Sequence, residues 1–326
     1  MGPKRLSRVA IDIRVDRAAT TIRGEGADTE SQSALDYARK DHYRAVAGRM
    51  AGGDARLLFL WRCDSVKENK LRRKLQAGEQ TVCTRVFHPT PAVVEILGQT
   101  GLYDYVEFVA EYGSFHLHDL DNLCRAAELY GMGAMIKIDQ SHQAFLAQRG
   151  IGAGFDGVLF TDCRSAEDVR TCVRLARPDT PTDRGLYGAA VRRNVGGVSG
   201  GADDYVQAIR DIVVCVMVEK KGAVDELEQV LSVPGLDMVQ WGGTDFSMSI
   251  GRIGQRDHPD VLAAKRKVFA DAIAKGVPPR AEIASVDEAQ EYLDMGVRHF
   301  SVGADVRYLY FGWQSDGERL RAVLDG

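Results

Sequence analysis

The sequence predicts an α/β protein in which eight strands alternate with helices and close into a (β/α)8 barrel of the TIM type. The main observation is a series of short, β-rich runs with helical stretches between them. The runs are TVCTRV (81–86), YVEFV (105–109), AMIKI (134–138), GVLF (157–160), VVCVMV (213–218), MVQW (238–241), RAEI (280–283) and HFSV (299–302). The second observation is that this regular alternation begins only at about residue 69. A doubly wound open sheet is the alternative that the same alternation allows.

The segment before the alternation, residues 1–68, is predicted to be an N-terminal extension of unknown role, and residues 69–326 the catalytic barrel. Residues 17–33 are polar and indicate an exposed loop. Residues 34–50 have a helical pattern that ends at Gly52 and Gly53. Residues 56–62, RLLFLWR, indicate a strand.

Within the barrel region, two helices carry clear end signals. SAEDVRTCVRLA (165–176) opens with a serine, a residue that accepts hydrogen bonds from the free amides of a first helical turn. HPDVLAAKRKVFADAIAKG (258–276) has a proline in its first turn and a glycine after its end.

Composition excludes several classes of function. The 326 residues are 45% hydrophobic and 27% charged, with a net charge of −4, whereas a nucleic-acid-binding protein usually carries a basic excess. No apolar run approaches the ~20 residues that span a bilayer, and no signal peptide is evident. The six cysteines form no C-x-x-C pair, so we expect reduced thiols in a cytoplasmic protein. Neither a P-loop nor a G-x-G-x-x-G fingerprint follows a strand.

Two acids follow neighbouring predicted strands. Glu219 comes directly after the strand that ends at Val218, and Asp245 follows Trp241 and two glycines. In a barrel these carboxylates would lie side by side at the carboxyl mouth, where Mg²⁺ is typically held by one or two carboxylates. The alternative is that each acid only caps the helix that follows it, because acids are common in first turns. Spacing alone leaves both interpretations open.

From Asn69 onward, about four-fifths of the chain resembles the HpcH/HpaI aldolase/citrate lyase family, the metal-dependent (class II) pyruvate aldolases. The matching stretches are NKLRRKLQAGEQ, PAVVEILGQTGLYDYVEFVAEYG, GAGFDGVLFTDCRSAEDVR, DRGLYG, VMVEKKGAVDELEQVLSVPGLDMVQWGGTDFSMSIGRIGQRDHPDV and HFSVGADVRYL. The resemblance implies a modified (β/α)8 barrel that assembles as a hexamer of swapped dimers. It also implies a divalent metal on Glu219 and Asp245, with Mg²⁺ expected and Mn²⁺ or Co²⁺ as alternatives. Backbone amides near Gly242, Thr244 and Asp245 would hold the carboxylate of a 2-oxo acid, and glycines at 242 and 243 would let it approach closely.

The sequence departs from the family pattern at the residues that move protons. The usual Asp-x-Glu-His after the second strand is Val109, Ala110, Glu111 and Tyr112 here. The resemblance implies that the retained Glu111 orders water on the metal. Lys137 replaces an arginine that faces the keto oxygen, and Met217 replaces a glutamine.

The two replacements have alternative roles. A tyrosine with an ordinary pKa near 10 is a poor base at pH 7, so Tyr112 is better suited to donate a proton to an aldehyde oxygen; it could instead be a packed aromatic residue. Lys137 could form a Schiff base, which requires a neutral amine, or could remain protonated and donate to an enolate oxygen. We favour the second role for Lys137.

Other polar residues are assigned structural roles. His116 and His118 could supply a base, but their position at a predicted helix entry favours a structural role, and His258 precedes the proline of another helix. Arg184 matches a family arginine. Arg192 and Arg193 could meet an anionic substrate tail, but the stretch rich in arginine and glycine around them favours a solvated or intersubunit loop.

The predicted function is therefore a metal-dependent lyase that joins or cleaves a 2-oxo acid, through its enolate, and an aldehyde. One alternative is decarboxylation of a 2-oxo diacid such as oxaloacetate, which needs no strong base. Another is a non-catalytic scaffold that binds metal and a 2-oxo acid. The expected partners are small molecules and further copies of the chain, without nucleic acid or membrane.

Overall fold

The computed structural model describes residues 46–49, 55–58, 68–189 and 202–325, and the chain divides into two units, Met1–Cys63 and Asp64–Gly326. In the first unit, β1 (Val46–Arg49) pairs antiparallel with β2 (Ala55–Leu58). The helix predicted over residues 34–50 is therefore wrong at 46–49, and its remainder lies outside the described residues. Gly48 disfavours a helix, and pairing with β2 gives this backbone its hydrogen bonds.

The second unit is a closed barrel of eight parallel strands. In chain order these strands are β3 (Thr81–Val86), β4 (Tyr105–Val109), β5 (Gly133–Ile138), β6 (Gly157–Phe160), β7 (Val213–Val218), β8 (Met238–Trp241), β9 (Pro279–Ile283) and β10 (His299–Ala304). Each strand pairs with the next, and β10 pairs with β3 to close the ring. Closure confirms the predicted (β/α)8 class and excludes the open doubly wound sheet.

Helices precede, connect and follow the strands of the ring. They are α1 (Lys70–Gln76), α2 (Pro91–Gln99), α3 (Leu117–Leu129), α4 (Gln143–Ala153), α5 (Ala166–Leu175), α6 (Ala202–Arg210), α7 (Lys221–Asp225), α8 (Leu227–Leu231), α9 (Gly243–Ser249), α10 (Pro259–Ala274), α11 (Ala289–Asp294) and α12 (Asp305–Asp325), with a 3₁₀ turn at Val286–Glu288. Within the part of the chain described, none of these helices is long and apolar enough to cross a membrane.

The predicted helix ends are confirmed. The Ser165 hydroxyl accepts a hydrogen bond from the Asp168 amide at 3.2 Å and so caps α5. At α10, His258 accepts from the Asp260 amide at 3.2 Å, and Gly276 follows the helix with a φ of 73°. His258 is thus a helix cap, which agrees with the structural role predicted for it.

Apolar side chains form two layers. The larger layer lies between the strands and the surrounding helices, and the smaller one fills the barrel interior around Tyr105 and Met135. Leu71 of α1 packs into the interior layer. Asn69, which caps α1, donates to the carbonyls of Asp156 and Asp211, just ahead of β6 and β7. Helix α1 therefore closes the amino end of the barrel and leaves the carboxyl end for a site.

The interior also holds a buried ion pair. Glu107 of β4 and Arg280 of β9 are both fully buried and hydrogen-bonded to each other. The Arg280 guanidinium also donates to the Gln240 side chain and approaches the Cys83 sulfur at 2.8 Å. Each charge thus has a partner, which buried charges require.

Strand register decides which residues meet at the carboxyl rim. Val109 is the register partner of Lys137, and Val218 is the partner of Trp241. The chain segments that follow β4, β7 and β8 therefore emerge at the same end, above the buried interior.

Candidate active site at the carboxyl mouth of the barrel

A cavity of about 720 Å³ opens at this end. Its walls bring together most of the predicted site residues, namely Tyr112, Lys137, Glu219, Gly242, Gly243, Thr244 and Asp245. Met217 and Trp241 contribute apolar surface beside them. The residues chosen from four separate strand ends thus line one cavity.

Glu219 is held deep in this cavity. It is only 4% exposed, and its Oε1 accepts a hydrogen bond from the Asp162 amide at 2.8 Å. Burial raises the pKa of Glu219 to about 7, and this amide together with Lys137 acts in the opposite direction. A side chain at Gly242 would collide with the Glu219 carboxylate, so a glycine is needed there.

Asp245 lies in the first turn of α9, yet its carboxylate turns to a lysine. Lys220 Nζ is 2.8 Å from Asp245 Oδ1 and 2.6 Å from Asp162 Oδ1. Neither α7 nor α9 begins with a side-chain cap hydrogen bond. Neither carboxylate therefore caps a helix through a hydrogen bond, and both line the cavity.

The donor chemistry fits a hard divalent cation. Glu219 and Asp245 offer carboxylate oxygens, which Mg²⁺ prefers, and Mg²⁺ sites commonly take only one or two such ligands. Within the described ranges, no group of three or more His, Cys, Asp or Glu side chains gathers as a ready-made cage. Any cation here would need further ligands from substrate or water, as an open catalytic site requires.

Lys137, which lines the cavity, forms an ion pair with Glu111. Lys137 Nζ lies 2.7 Å from Glu111 Oε2, and the lysine is 7% exposed. Burial alone would lower the pKa of Lys137, but the Glu111 carboxylate more than offsets this effect, and the pKa is raised. Lys137 is therefore an ammonium at neutral pH.

Tyr112 covers this ion pair from the solvent side. Its ring lies 5.1 Å from Lys137 Nζ and stacks on Phe87 with 6.3 Å between ring centroids. Desolvation raises the pKa of Tyr112 to about 12, although Lys137 pulls the other way. The side chain is 63% exposed, so it is a cavity-rim phenol and not a packed core aromatic.

Of the residues assigned structural roles, those that the structure describes do not line the cavity. His116 begins α3, with its amide donating to Asp119 at 2.7 Å, and neither it nor His118 lines the cavity. Arg184 lies in a loop with a φ of 53°, where its carbonyl accepts from Arg174. Arg192 and Arg193 lie outside the described residues.

Several polar residues at the mouth were missed from the sequence. Asp162 and Lys220 connect the two predicted metal ligands, and the Arg85–Glu282 ion pair, with an N–O distance of 2.5 Å, adds a charged wall. The rule that chose Glu219 also points to Asp162, because it follows β6 by two residues.

A family comparison matches residues 90–310 to HpcH/HpaI aldolase/citrate lyase. This match spans more than half of the sequence. The chain belongs to the HpcH/HpaI aldolase/citrate lyase family. It is accordingly a carbon–carbon lyase, which confirms the predicted enzyme class.

Individual relatives of this HpcH/HpaI protein are distant. The hydroxypyruvate/pyruvate aldolase of Paraburkholderia phytofirmans is 28% identical over 245 residues, covering 74% of this chain and 93% of the relative. The 5-keto-4-deoxy-D-glucarate aldolase of Klebsiella pneumoniae is 25% identical, with the same coverage. A solved HpcH/HpaI aldolase/citrate lyase family protein from Burkholderia cenocepacia has a TM-score of 0.70 at 27% identity, covering 78% of this chain and all of that one.

Proposed function

We propose that the protein is a metal-dependent aldolase that acts on a 2-oxo acid and an aldehyde. The observation that carries this proposal is that Glu219 and Asp245 line the same cavity as the Lys137 ammonium. When bound, a divalent cation, Mg²⁺ by preference and Mn²⁺ or Co²⁺ otherwise, would supply Lewis-acid stabilisation of an enolate. Glu219 and Asp245 are the residues that would hold it.

Lys137 is proposed to donate a hydrogen bond to the keto oxygen of the substrate. Its pairing with Glu111 keeps it protonated, which suits donation and opposes Schiff-base formation, since that reaction needs a neutral amine. Its compact ammonium lacks the planar, bidentate donor arrangement of an arginine guanidinium, so Lys137 would orient the 2-oxo acid less tightly than an arginine would. The substrate carboxylate would lie against Gly242, Gly243 and Thr244, whose backbone forms the adjoining cavity wall.

Tyr112 is proposed to act as the general acid toward the aldehyde oxygen. A phenol with a pKa of about 12 is protonated at neutral pH and can donate, but it cannot serve as a base. The same property favours a second candidate function, decarboxylation of a 2-oxo diacid such as oxaloacetate, because that reaction forms an enolate without removing a C–H proton.

Assembly into a homo-oligomer, between a dimer and a hexamer, is also proposed. Helix α12 exposes a series of large apolar side chains, including Tyr310, Phe311, Trp313 and Leu320, each more than half exposed. Large apolar side chains exposed in this number along one helix are typical of an interface. Light scattering of the protein and of a Trp313→Glu variant would test it, with a smaller assembly expected for the variant. A cytoplasmic location stays a prediction from the sequence.

The proposed activity is tested with a panel of 2-oxo acids and aldehydes after chelation, with Mg²⁺, Mn²⁺ or Co²⁺ added back. We expect turnover only with added metal. Glu219→Ala and Asp245→Ala should abolish both metal binding and turnover while the oligomer remains intact. Glu228→Ala, at an exposed helix position, is the matched control. Full turnover in EDTA, or full metal-dependent turnover of either site variant, would refute the proposal.

A further inference from the structure

Two consecutive lysines after β7 have different surroundings. Lys221 pairs with Asp225 on its own helix at 2.5 Å, and its side chain is 60% exposed. Lys220 turns toward two carboxylates instead, and its side chain is 11% exposed and lies between Asp162 and Asp245. The first arrangement is an ordinary surface pair, whereas the second places an ammonium against Asp245, a residue of the cavity wall.

The Asp162 backbone is adapted to this arrangement. Its φ of 60° is in the left-handed region, which a non-glycine residue seldom adopts, although aspartate tolerates it better than most. In this conformation its amide donates to Glu219 Oε1 while its carboxylate pairs with Lys220. One residue thus contacts both Glu219 and the lysine that contacts Asp245.

A lysine that only neutralised Asp162 would not need to contact Asp245. The second contact, at 2.8 Å, puts a positive charge on the carboxylate that a divalent cation would use. A divalent cation on the same carboxylate would be repelled by this ammonium. Asp162 can keep the ammonium nearby after the contact to Asp245 is broken.

We propose that Lys220 is a tethered counter-cation that competes with a divalent metal for Asp245, so that the chain binds free metal more weakly than its carboxylates alone would. This inference rests on the proposed metal site at Glu219 and Asp245. It makes Lys220 a positioning residue that acts through Asp245 and does not contact the reacting atoms. A 2-oxo acid would then favour metal retention, because it contributes two further oxygen ligands.

The test is calorimetric titration of Mn²⁺ into the metal-free full-length protein at pH 7.5. Lys220→Met and Lys220→Gln remove the charge and should each bind Mn²⁺ about 10-fold more tightly, equivalent to ~1.4 kcal/mol. Lys220→Arg keeps the charge and should stay within about 2-fold of the wild type. Lys221→Met makes the same substitution one residue away and should also stay within about 2-fold.

Equal or weaker binding by both neutral variants would overturn the inference while leaving the metal site in place. Absence of Mn²⁺ binding in every protein would refute the metal site and the inference together. A second measurement uses the wild-type protein and so avoids any folding defect in a variant. In limited chemical acetylation, read by mass spectrometry, saturating Mn²⁺ should raise the acetylation of Lys220 relative to that of Lys221. If Mn²⁺ leaves this ratio unchanged, Lys220 does not compete with the metal.

Discussion

Replacing Glu219 by glutamine should stabilise the metal-free protein. The carboxylate has a pKa of about 7 in the folded chain against an ordinary value of 4.5, because burial disfavours its charge. At 1.36 kcal/mol per pKa unit, holding it ionised costs the folded state roughly 3 kcal/mol. Glu219 is only 4% exposed, so solvent screening does not reduce this cost much. Glutamine has no charge and can still accept from the Asp162 amide.

The sign of the effect depends on pH. A carboxyl group whose folded pKa is raised contributes stability below pH 4.5, and this contribution is lost as the pH rises toward 7. In EDTA, the free energy of unfolding of Glu219→Gln should therefore exceed that of the wild type by roughly 3 kcal/mol at pH 8. The difference should be less than about 1 kcal/mol at pH 5.

Urea denaturation at fixed protein concentration measures both values, since oligomerisation would otherwise shift them. Glu228→Gln, at an exposed position, should change the free energy of unfolding by no more than about 0.5 kcal/mol at either pH. Added Mg²⁺ should stabilise the wild type and not Glu219→Gln. If the variant is no more stable than the wild type at pH 8, the carboxylate is not held in the unfavourable environment argued above.

Three further predictions concern other residues. Tyr112→Phe should lower aldol turnover roughly 10²–10⁴-fold and should lower oxaloacetate decarboxylation less, with metal binding unchanged. Near-wild-type rates of the variant in both assays would show that the phenol is not a general acid. Borohydride with pyruvate should leave no reduced adduct on Lys137 by mass spectrometry, and a stoichiometric adduct with EDTA-resistant activity would contradict the metal mechanism. Burial lowers the pKa of His299 from 6.5 to about 4 in the folded protein. As the pH falls, His299 is therefore protonated in the unfolded chain before it is protonated in the folded one, and roughly 3 kcal/mol of stability is lost between pH 6.5 and pH 4. His299→Gln should remove that loss in urea denaturation while keeping the contact to Thr81; a parallel pH dependence in both proteins would refute it.

The barrel could be predicted because its strands are covered on both faces. A parallel strand buried in this way is a nearly continuous apolar run, and VVCVMV at 213–218 is observed as a strand with these same bounds. The hairpin of the first unit was missed at 46–49 because a short strand has no such signature. Its extended form depends on pairing with residues 55–58, which a local helical pattern does not reveal.

The candidate site was predicted only in part, and for a physical reason. Strand ends identified Glu219 and Asp245, because position along a barrel strand decides which end a residue faces. Lys220 was missed because a lysine beside a helix start is usually solvated. Its role depends on carboxylates from two other loops, and neither contact is visible in a linear pattern. The raised pKa of Glu219 likewise depends on burial by neighbours.

The protonation states at the mouth also restrict how an enolate can form. Tyr112, with a pKa of about 12, is ionised in only about one molecule in 10⁴–10⁵ at pH 7.5, and Lys137 remains an ammonium. Both groups are therefore donors, while Glu111 and Asp162 are each paired with a lysine. This chain should thus form an enolate more readily by decarboxylation, which needs no proton acceptor, than by removing a C3 proton.

Deuterium exchange measures that difference directly. In D₂O with Mg²⁺, exchange of the pyruvate methyl protons without aldehyde, followed by NMR, should be slower than oxaloacetate decarboxylation. Exchange as fast as decarboxylation would require a base that these protonation states do not supply. Glu111→Gln then decides whether Glu111 is that base: if it is, the variant loses exchange but retains decarboxylation of oxaloacetate, because that reaction generates the enolate by losing CO₂ and needs no proton acceptor.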